Sequence, residues 1–253
     1  DLPQDYLPDV VVLTTPPEER IKILKNINCK GILVEKPLGT SLNNSKVFYE
    51  LCKNKKIKTQ VNFFRRFDDK MFDLKKNLSK KLGSIQCGFC VYGNGLRNNA
   101  IHMIDLIRFL FGEIISVMAF PGKENRENIN FILELKNNVL INFAPIDFTF
   151  YREVYLDIWG TKSRIEIFQE GLFIKQSKIR SHRALEKTKE ISIDNSNIKN
   201  SNCGLSYYNV YTDLYNSIKK NVETKSDISN GFKNELIIHS IYKSLKLKKI
   251  IKI

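Results

Sequence analysis

The sequence predicts an α/β protein: part of a doubly wound parallel sheet, followed by an α+β unit with an open, mainly antiparallel sheet. Two observations carry this. Residues 9–63 alternate short β-branched runs with helical segments in the order βαβαβ, joined by short loops. Beyond Gly112, short runs of alternating apolar and polar residues follow one another with no helix between them, the pattern of antiparallel strands.

Asp9-Val10-Val11-Val12-Leu13 is a continuous apolar run whose branched side chains suit a strand buried on both faces. Thr14-Thr15-Pro16-Pro17 ends it. Glu18–Asn28 follows as a helix, with acidic residues in its first turn where the helix dipole favours them. Gly31-Ile32-Leu33-Val34 is a second buried strand, closed by Glu35-Lys36-Pro37. Ser41 starts a helix that runs to about Asn54, and Ile57–Phe63 is the third strand. The boundary between the two units falls near Asn62–Phe67, which divides the chain into residues 1–62 and 63–253.

In the second unit the spacing predicts a helix at Asp69–Lys80, a strand at Ser84–Tyr92 and a helix at Asn98–Phe111. Strands are expected at Ile114–Phe120, Asn130–Leu135, Val139–Phe143, Val154–Trp159, Arg164–Phe168 and Leu172–Gln176. Asn137-Asn138 suits a hairpin turn. Residues 178–203 are polar and poorly periodic and read as a loop. Helices at Ser206–Asn221 and Ser229–Leu245 follow.

Composition excludes several classes. With 253 residues, 42% of them hydrophobic and 27% charged, the chain is an ordinary globular protein rather than a disordered tail. No apolar run approaches the ~20 residues that span a bilayer, so no membrane partner is expected. The acidic, proline-containing start at Asp1-Leu2-Pro3-Gln4-Asp5 has the wrong chemistry for a signal peptide. Five scattered cysteines argue for a reducing, cytoplasmic setting. The net charge of +14 comes mostly from lysine. The lysines are spread along the chain, and asparagine and isoleucine rise with them. That is a compositional background rather than a nucleic-acid surface, which needs basic residues on one face with aromatics between them.

Lys36 stands just past the end of a buried parallel strand, where ligands bind in open α/β sheets. Pro37 holds its backbone extended. Its amine suits a hydrogen bond to a substrate hydroxyl; read alone, it is equally a loop lysine. Asn98, His102 and Asp105 fall within roughly 60° of one another on a helix that is otherwise apolar nearly all round. A polar seam on a buried helix either finds internal partners or faces a cleft, so His102 is a general base or a bonded core histidine. Cys87 and Cys90 have CxxC spacing but no second pair, and on a strand they point to opposite faces, so no metal site is expected. His182 and His239 have no metal-like companions, and there is no GxSxG or phosphate-binding P-loop.

Taken in order, Asp9–Pro16, Glu35-Lys36-Pro37, Val61-Asn62-Phe63-Phe64-Arg65-Arg66-Phe67, Gly95 through Gly112 with its His-Met-Ile-Asp, and Trp159-Gly160-Thr161-Lys162 resemble the Gfo/Idh/MocA family of NAD(P)-dependent oxidoreductases. The resemblance covers nearly the whole chain. It implies a Rossmann-type unit and a second domain whose open sheet often joins subunits, hence a homo-oligomer. It also implies hydride transfer between NAD or NADP and a hydroxyl-bearing carbon of a sugar, cyclitol or nucleotide sugar. By that resemblance Lys36 contacts substrate and joins the proton relay, and His102 is the general base. Arg66, Asn98 and Asp105 line the substrate, and Thr14, Thr15, Pro16, Glu35 and Lys36 lie near the nicotinamide and its ribose.

Three departures stand out. Asn98 occupies a position where many members carry Asp, so a relay rests on His102 and Lys36. Ala100 replaces a frequent Gly. Nothing here matches the Gly-rich turn that approaches a dinucleotide pyrophosphate, and by order the chain begins at about the fourth strand of the Rossmann unit. Asn94 through Asn99 looks like members that act in surface-sugar biosynthesis. The alternative is a non-catalytic binding or assembly protein that uses the antiparallel sheet as its interface. Titration with NAD⁺ and NADP⁺ separates the two; weak or no binding is expected of these 253 residues alone.

Overall fold

The computed structural model describes residues 7–122, 127–192 and 197–253. Strands β1 (Val10–Leu13), β2 (Gly31–Val34) and β3 (Lys58–Val61) form a parallel sheet in that order, with Val10 opposite Gly31 and Gly31 opposite Lys58. Helices α1 (Pro17–Asn26) and α2 (Leu42–Asn54) make the crossovers. Pro17 opens α1, where its missing N–H costs nothing. The hydroxyl of Ser41 accepts the Asn44 amide at 3.2 Å and caps α2.

β2 is buried at all four positions, as its sequence predicts. β1 is not: among the described residues it pairs only with β2, and Val10 and Val12 remain 40% and 43% exposed. Its apolar run is the composition of an interior strand placed at an edge.

A 3₁₀ turn, Phe64–Phe67, leads out of β3. The helix expected at Asp69–Lys80 is two pieces, α3 (Asp69–Lys76) and α4 (Leu78–Lys81), broken at Asn77. Then come β4 (Ile85–Tyr92), a π-type turn at Leu96–Ala100 and helix α5 (Ile101–Phe111). The strands β5 (Ile114–Phe120), β6 (Asn130–Leu135), β7 (Leu140–Pro145), β8 (Tyr155–Gly160), β9 (Ser163–Phe168) and β10 (Phe173–Ser181) follow.

Residues 178–203 are not the expected loop. β10 continues to Ser181, and β11 (Lys189–Ile191) and β12 (Ile198–Asn200) both pair with it. Residues 193–196 of that stretch lie outside the described residues. Helices α6 (Cys203–Lys220) and α7 (Ile228–Leu247) precede a short strand β13 (Ile251–Lys252).

Among the described residues the large sheet has ten strands, in the order β11-β10-β9-β8-β4-β7-β6-β5-β13, with β12 on β10. All pairings are antiparallel except β4 with β7. Asn138, at φ 62°, makes the β6–β7 turn. α7 packs on β5 of the large sheet and on β3 of the small one and so bridges the two sheets, while α6 packs on β2, β3 and the 3₁₀ turn. One buried core runs from Leu13, Leu24 and Phe48 through Ile104 and Ile107 to Leu133 and Ile167.

The other face of the large sheet exposes Phe89, Leu140 and Trp159. Beside them Arg164 donates to both carboxylate oxygens of Asp157, at 2.8 and 2.9 Å, and to the Tyr155 hydroxyl at 3.1 Å. Cys87 is exposed and Cys90 buried, on opposite faces as the alternation requires, and both are free thiols.

Candidate active site

The loops after β1, β2 and β3 are fastened together at the carboxyl end of the parallel sheet. Arg20, buried on α1, donates Nε to the Thr15 carbonyl at 3.0 Å and Nη1 to the carbonyls of Glu35 and Pro37. Asn62, just past β3, donates its amide to the Glu35 carboxylate at 2.6 Å. The Lys36–Pro37 peptide is cis. Glu235 of α7, itself buried, accepts the Leu38 amide at 3.0 Å and pairs with Arg97 at 3.2 Å, while Arg97 also donates to the Gly39 carbonyl. Burial pushes the Glu235 carboxyl up, opposed by Arg97 and by the Leu38 amide.

Lys36 reaches from this loop to the π-turn, where its Nζ donates to the Asn98 carbonyl at 2.9 Å. Burial lowers the amine from its ordinary value; Glu35 opposes, while the charges of Arg65 and Arg20 add to the lowering. Asn98 itself is exposed. π-type turns recur at functional sites.

His102, in the first turn of α5, stands edge-on to Phe63 and Phe64, with centroids at 5.9 and 5.5 Å. Its Nδ1 is buried with no hydrogen-bond partner. Burial first, then the positive charges of Arg65 and Lys36, hold its pKa well below the usual histidine value. The imidazole is therefore neutral at physiological pH and able to take a proton.

Arg65 was not anticipated. Its guanidinium lies over the Phe64 ring at 4.6 Å and donates Nη2 to the Glu170 carbonyl at 2.8 Å. Phe64 also stacks on Tyr207 of α6, at 4.8 Å between centroids. One aromatic plate thus carries His102 at its edge, with Arg65 and Tyr207 on it.

Arg66 and Asp105 are placed differently from the substrate contacts expected of them. Arg66 Nε and Nη2 meet the two carboxylate oxygens of Asp105 at 2.6 and 2.7 Å, and Asn234 donates to Asp105 at 2.7 Å. Both partners are buried. The pair locks the 3₁₀ turn onto α5 and leaves little of either residue for a ligand.

Thr14, Glu35 and Asn62 line a cavity of about 120 Å³ with Tyr207 and Tyr211. The Thr15 hydroxyl and the Asn62 side-chain amide oxygen have no partner although buried, and Pro16 is exposed. The structure thus brings Thr14, Thr15, Glu35 and Lys36 together with the π-turn and His102, and turns Arg66 and Asp105 away. Among the described residues no group of three or more His, Cys, Asp or Glu could hold a metal. No helix among them is long and apolar enough to cross a membrane.

Solved structures share the fold. Levoglucosan dehydrogenase in complex with NADH and levoglucosan superposes with a TM-score of 0.78 over 99% of this chain and 81% of that chain, at 16% identity. The WlbA dehydrogenase from Bordetella pertussis, in complex with NADH and UDP-GlcNAcA, gives 0.73 over 97% and 79%, at 18% identity. In sequence, the scyllo-inositol 2-dehydrogenase (NAD(+)) of Bacillus subtilis is 32% identical over 132 residues, which is 46% of this chain and 39% of that protein. An inositol 2-dehydrogenase of Mycolicibacterium gilvum is 31% identical over 142 residues, 46% of this chain and 40% of that protein. The matched stretch is thus about two fifths of each curated relative's length. Residues 93–253 match the model of the oxidoreductase family's C-terminal alpha/beta domain. With well over half its length matched in this way, the chain belongs to the Gfo/Idh/MocA oxidoreductase family.

Proposed function

We propose that this protein is an NAD(P)-dependent oxidoreductase that removes a hydride from a hydroxyl-bearing carbon of a sugar, cyclitol or nucleotide sugar, and returns it in the reverse reaction. The observation that carries this is the convergence of Lys36 and His102 beside the strand-end cavity, both with pKa values lowered by burial and by neighbouring cations. Two curated relatives are inositol dehydrogenases, which supports a polyol substrate.

The residues present fit the nicotinamide end of a dinucleotide. The cavity lies at strand ends, has polar and aromatic walls, and is lined by Asn62, whose buried side-chain oxygen lacks a partner. Thr14, Thr15, Pro16 and Glu35 would hold the ring and its ribose, with Lys36 at the boundary with substrate. A bound NAD(P)⁺ supplies the hydride acceptor. His102 takes the hydroxyl proton, because hydride leaves readily only as the oxygen becomes a carbonyl. Lys36 hydrogen-bonds that oxygen and orients it. Asn98 positions a hydroxyl and carries no proton.

Residues 1–62 form the cofactor unit and 63–253 the substrate and association unit. Subunits join through the outer face of the large sheet, whose exposed Phe89, Leu140 and Trp159 support this. A cytoplasmic setting suits the free thiols. The test is reduction of NAD⁺ and NADP⁺ by the full-length protein against a panel of cyclitols, sugars and nucleotide sugars. Turnover with at least one polyol, lost in His102→Asn, is expected. No reduction across the panel, or full activity in His102→Asn, defeats the reading.

A further inference from the structure

We infer that Glu235, buried on α7, is a positioning residue of this site: through the Leu38 amide and Arg97 it fixes the spacing between the loop that carries Lys36 and the turn that leads into His102. The inference rests on the dehydrogenase reading of the site. Glu235 is 1% exposed, and both of its oxygens are used. Oε1 accepts the Leu38 amide at 3.0 Å, and Oε2 meets Arg97 Nη1 at 3.2 Å. The same Nη1 donates to the Gly39 carbonyl at 3.1 Å. Leu38 comes two residues after Lys36, and Arg97 immediately precedes Asn98.

Close packing puts the carboxylate there. A Cβ at Gly231, one turn before Glu235, would meet Leu38 Cδ1 at 3.1 Å and Val61 Cγ2 at 2.8 Å, so α7 lies directly against the loop. Beside Glu235, Asn234 donates to Asp105 at 2.7 Å and accepts from Arg108 at 2.8 Å, both on α5. α7 is thus a common frame for the loop, the π-turn and the helix of His102. A carboxylate is a costly way to fill a core position. A leucine there would bury more cheaply, but it would leave the Leu38 N–H unpaired and the two segments untied.

Two ties therefore join the same two segments. The front one runs from Lys36 Nζ to the Asn98 carbonyl at 2.9 Å. The back one runs through Glu235 and Arg97. When Lys36 turns toward a substrate oxygen, the front tie slackens. The back tie needs no such change, and it keeps Lys36 and His102 in register while the substrate is held. Register matters because a misplacement of about 1 Å can cost ~10²-fold in rate.

The test is made in the full-length protein. Glu235→Gln keeps an acceptor for Leu38 but sets an uncharged amide against Arg97. It is expected to lower kcat about 10- to 100-fold, with KM for the dinucleotide near wild type. Arg97→Gln, at a partly exposed position, is expected to do the same, and Arg97→Lys to recover part of the loss. The double variant should be no worse than the poorer single one, because the two residues form one tie. Ile241→Ala, a buried change farther along α7, is the control: it should lower the urea midpoint and leave kcat of the folded protein near wild type. An unchanged kcat in Glu235→Gln and Arg97→Gln, losses that multiply in the double variant, or an equal kcat loss in Ile241→Ala would each overturn the inference. Peptide-resolved acetylation by acetic anhydride reads the tie without turnover. Lys36 should be modified several-fold faster in both Gln variants than in wild type, with Lys30, exposed before the start of β2, unchanged. If no polyol reduces nicotinamide, that result upholds the tie while the dehydrogenase reading falls; equal Lys36 rates overturn the tie.

Discussion

Charge is concentrated in two places in this protein, and they are organised in opposite ways. On the outer face of the large sheet, Arg164 meets Asp157, Glu166 and Tyr155, and the Trp159 indole donates to Asp157 at 2.9 Å. At the carboxyl end of the small sheet, Lys36 bonds a single carbonyl, His102 Nδ1 bonds nothing and Arg65 lacks a counter-ion among the described residues. The first network is closed on itself, so it gives order and a fixed surface. The second is open, and open valences in a buried place are what a ligand completes.

The largest effect expected from breaking this contrast is at the open site. His102→Asn and Lys36→Met should each cost about 10²–10⁴-fold in kcat, as loss of a positioned proton-transfer group does. Urea unfolding near the wild-type midpoint would show that the loss is chemical. Next is Asp105→Ala, which strands the Arg66 guanidinium in the core. It should destabilise by about 3–5 kcal/mol, the cost of breaking a buried pair, read by equilibrium denaturation. A fall comparable to that of a surface ion pair would break the assignment of Arg66 and Asp105 to structure.

Acid sharpens the contrast further. The folded His102 has a depressed pKa, while the unfolded chain takes up that proton near pH ~6.5. Folding stability from this group is therefore whole above that value and falls as pH drops toward the folded pKa. Catalysis is expected to follow the same sign, with kcat/KM flat through neutrality and declining only in acid. A limb that begins above about pH 7 would contradict a buried, cation-flanked base. On the closed network, Trp159→Asp should weaken self-association in sedimentation without loss of the circular-dichroism signal. Smallest is Asp9→Asn, which removes the exposed Lys30 pair at 2.7 Å and should change stability by less than ~1 kcal/mol.

How far the sequence was legible depends on the range of the interaction. β5 and β6 fall on their predicted bounds, and Ser41 caps α2 as read, because local alternation and capping chemistry decide them. The strand β12 was missed because Ile198–Asn200 carries no alternation of its own; it is a strand only because Phe173–Lys175 lies beside it. β13 is a two-residue partner of β5, set by distant pairing. At the site, Glu35-Lys36-Pro37 and His102 were legible from strand ends and helix phase. Arg65 was not, because its neighbour took the role assigned to substrate. Two adjacent arginines in a 3₁₀ turn face different ways, and only Arg66 meets the buried Asp105. That pairing leaves the other unneutralised, a signal present in Arg65-Arg66 but readable only once Asp105 is known to be buried.

Arg20 has a mechanical consequence. One guanidinium bolts the loop after β1 to the loop after β2 at three carbonyls, so these two walls cannot hinge apart independently. Any closing stroke over a bound ligand must come from the opposite bank, where Tyr207 and Tyr211 rise from α6 and stay about half exposed. The mouth is a fixed jaw and a movable one, and the fixed jaw is set from behind by a residue that faces no ligand.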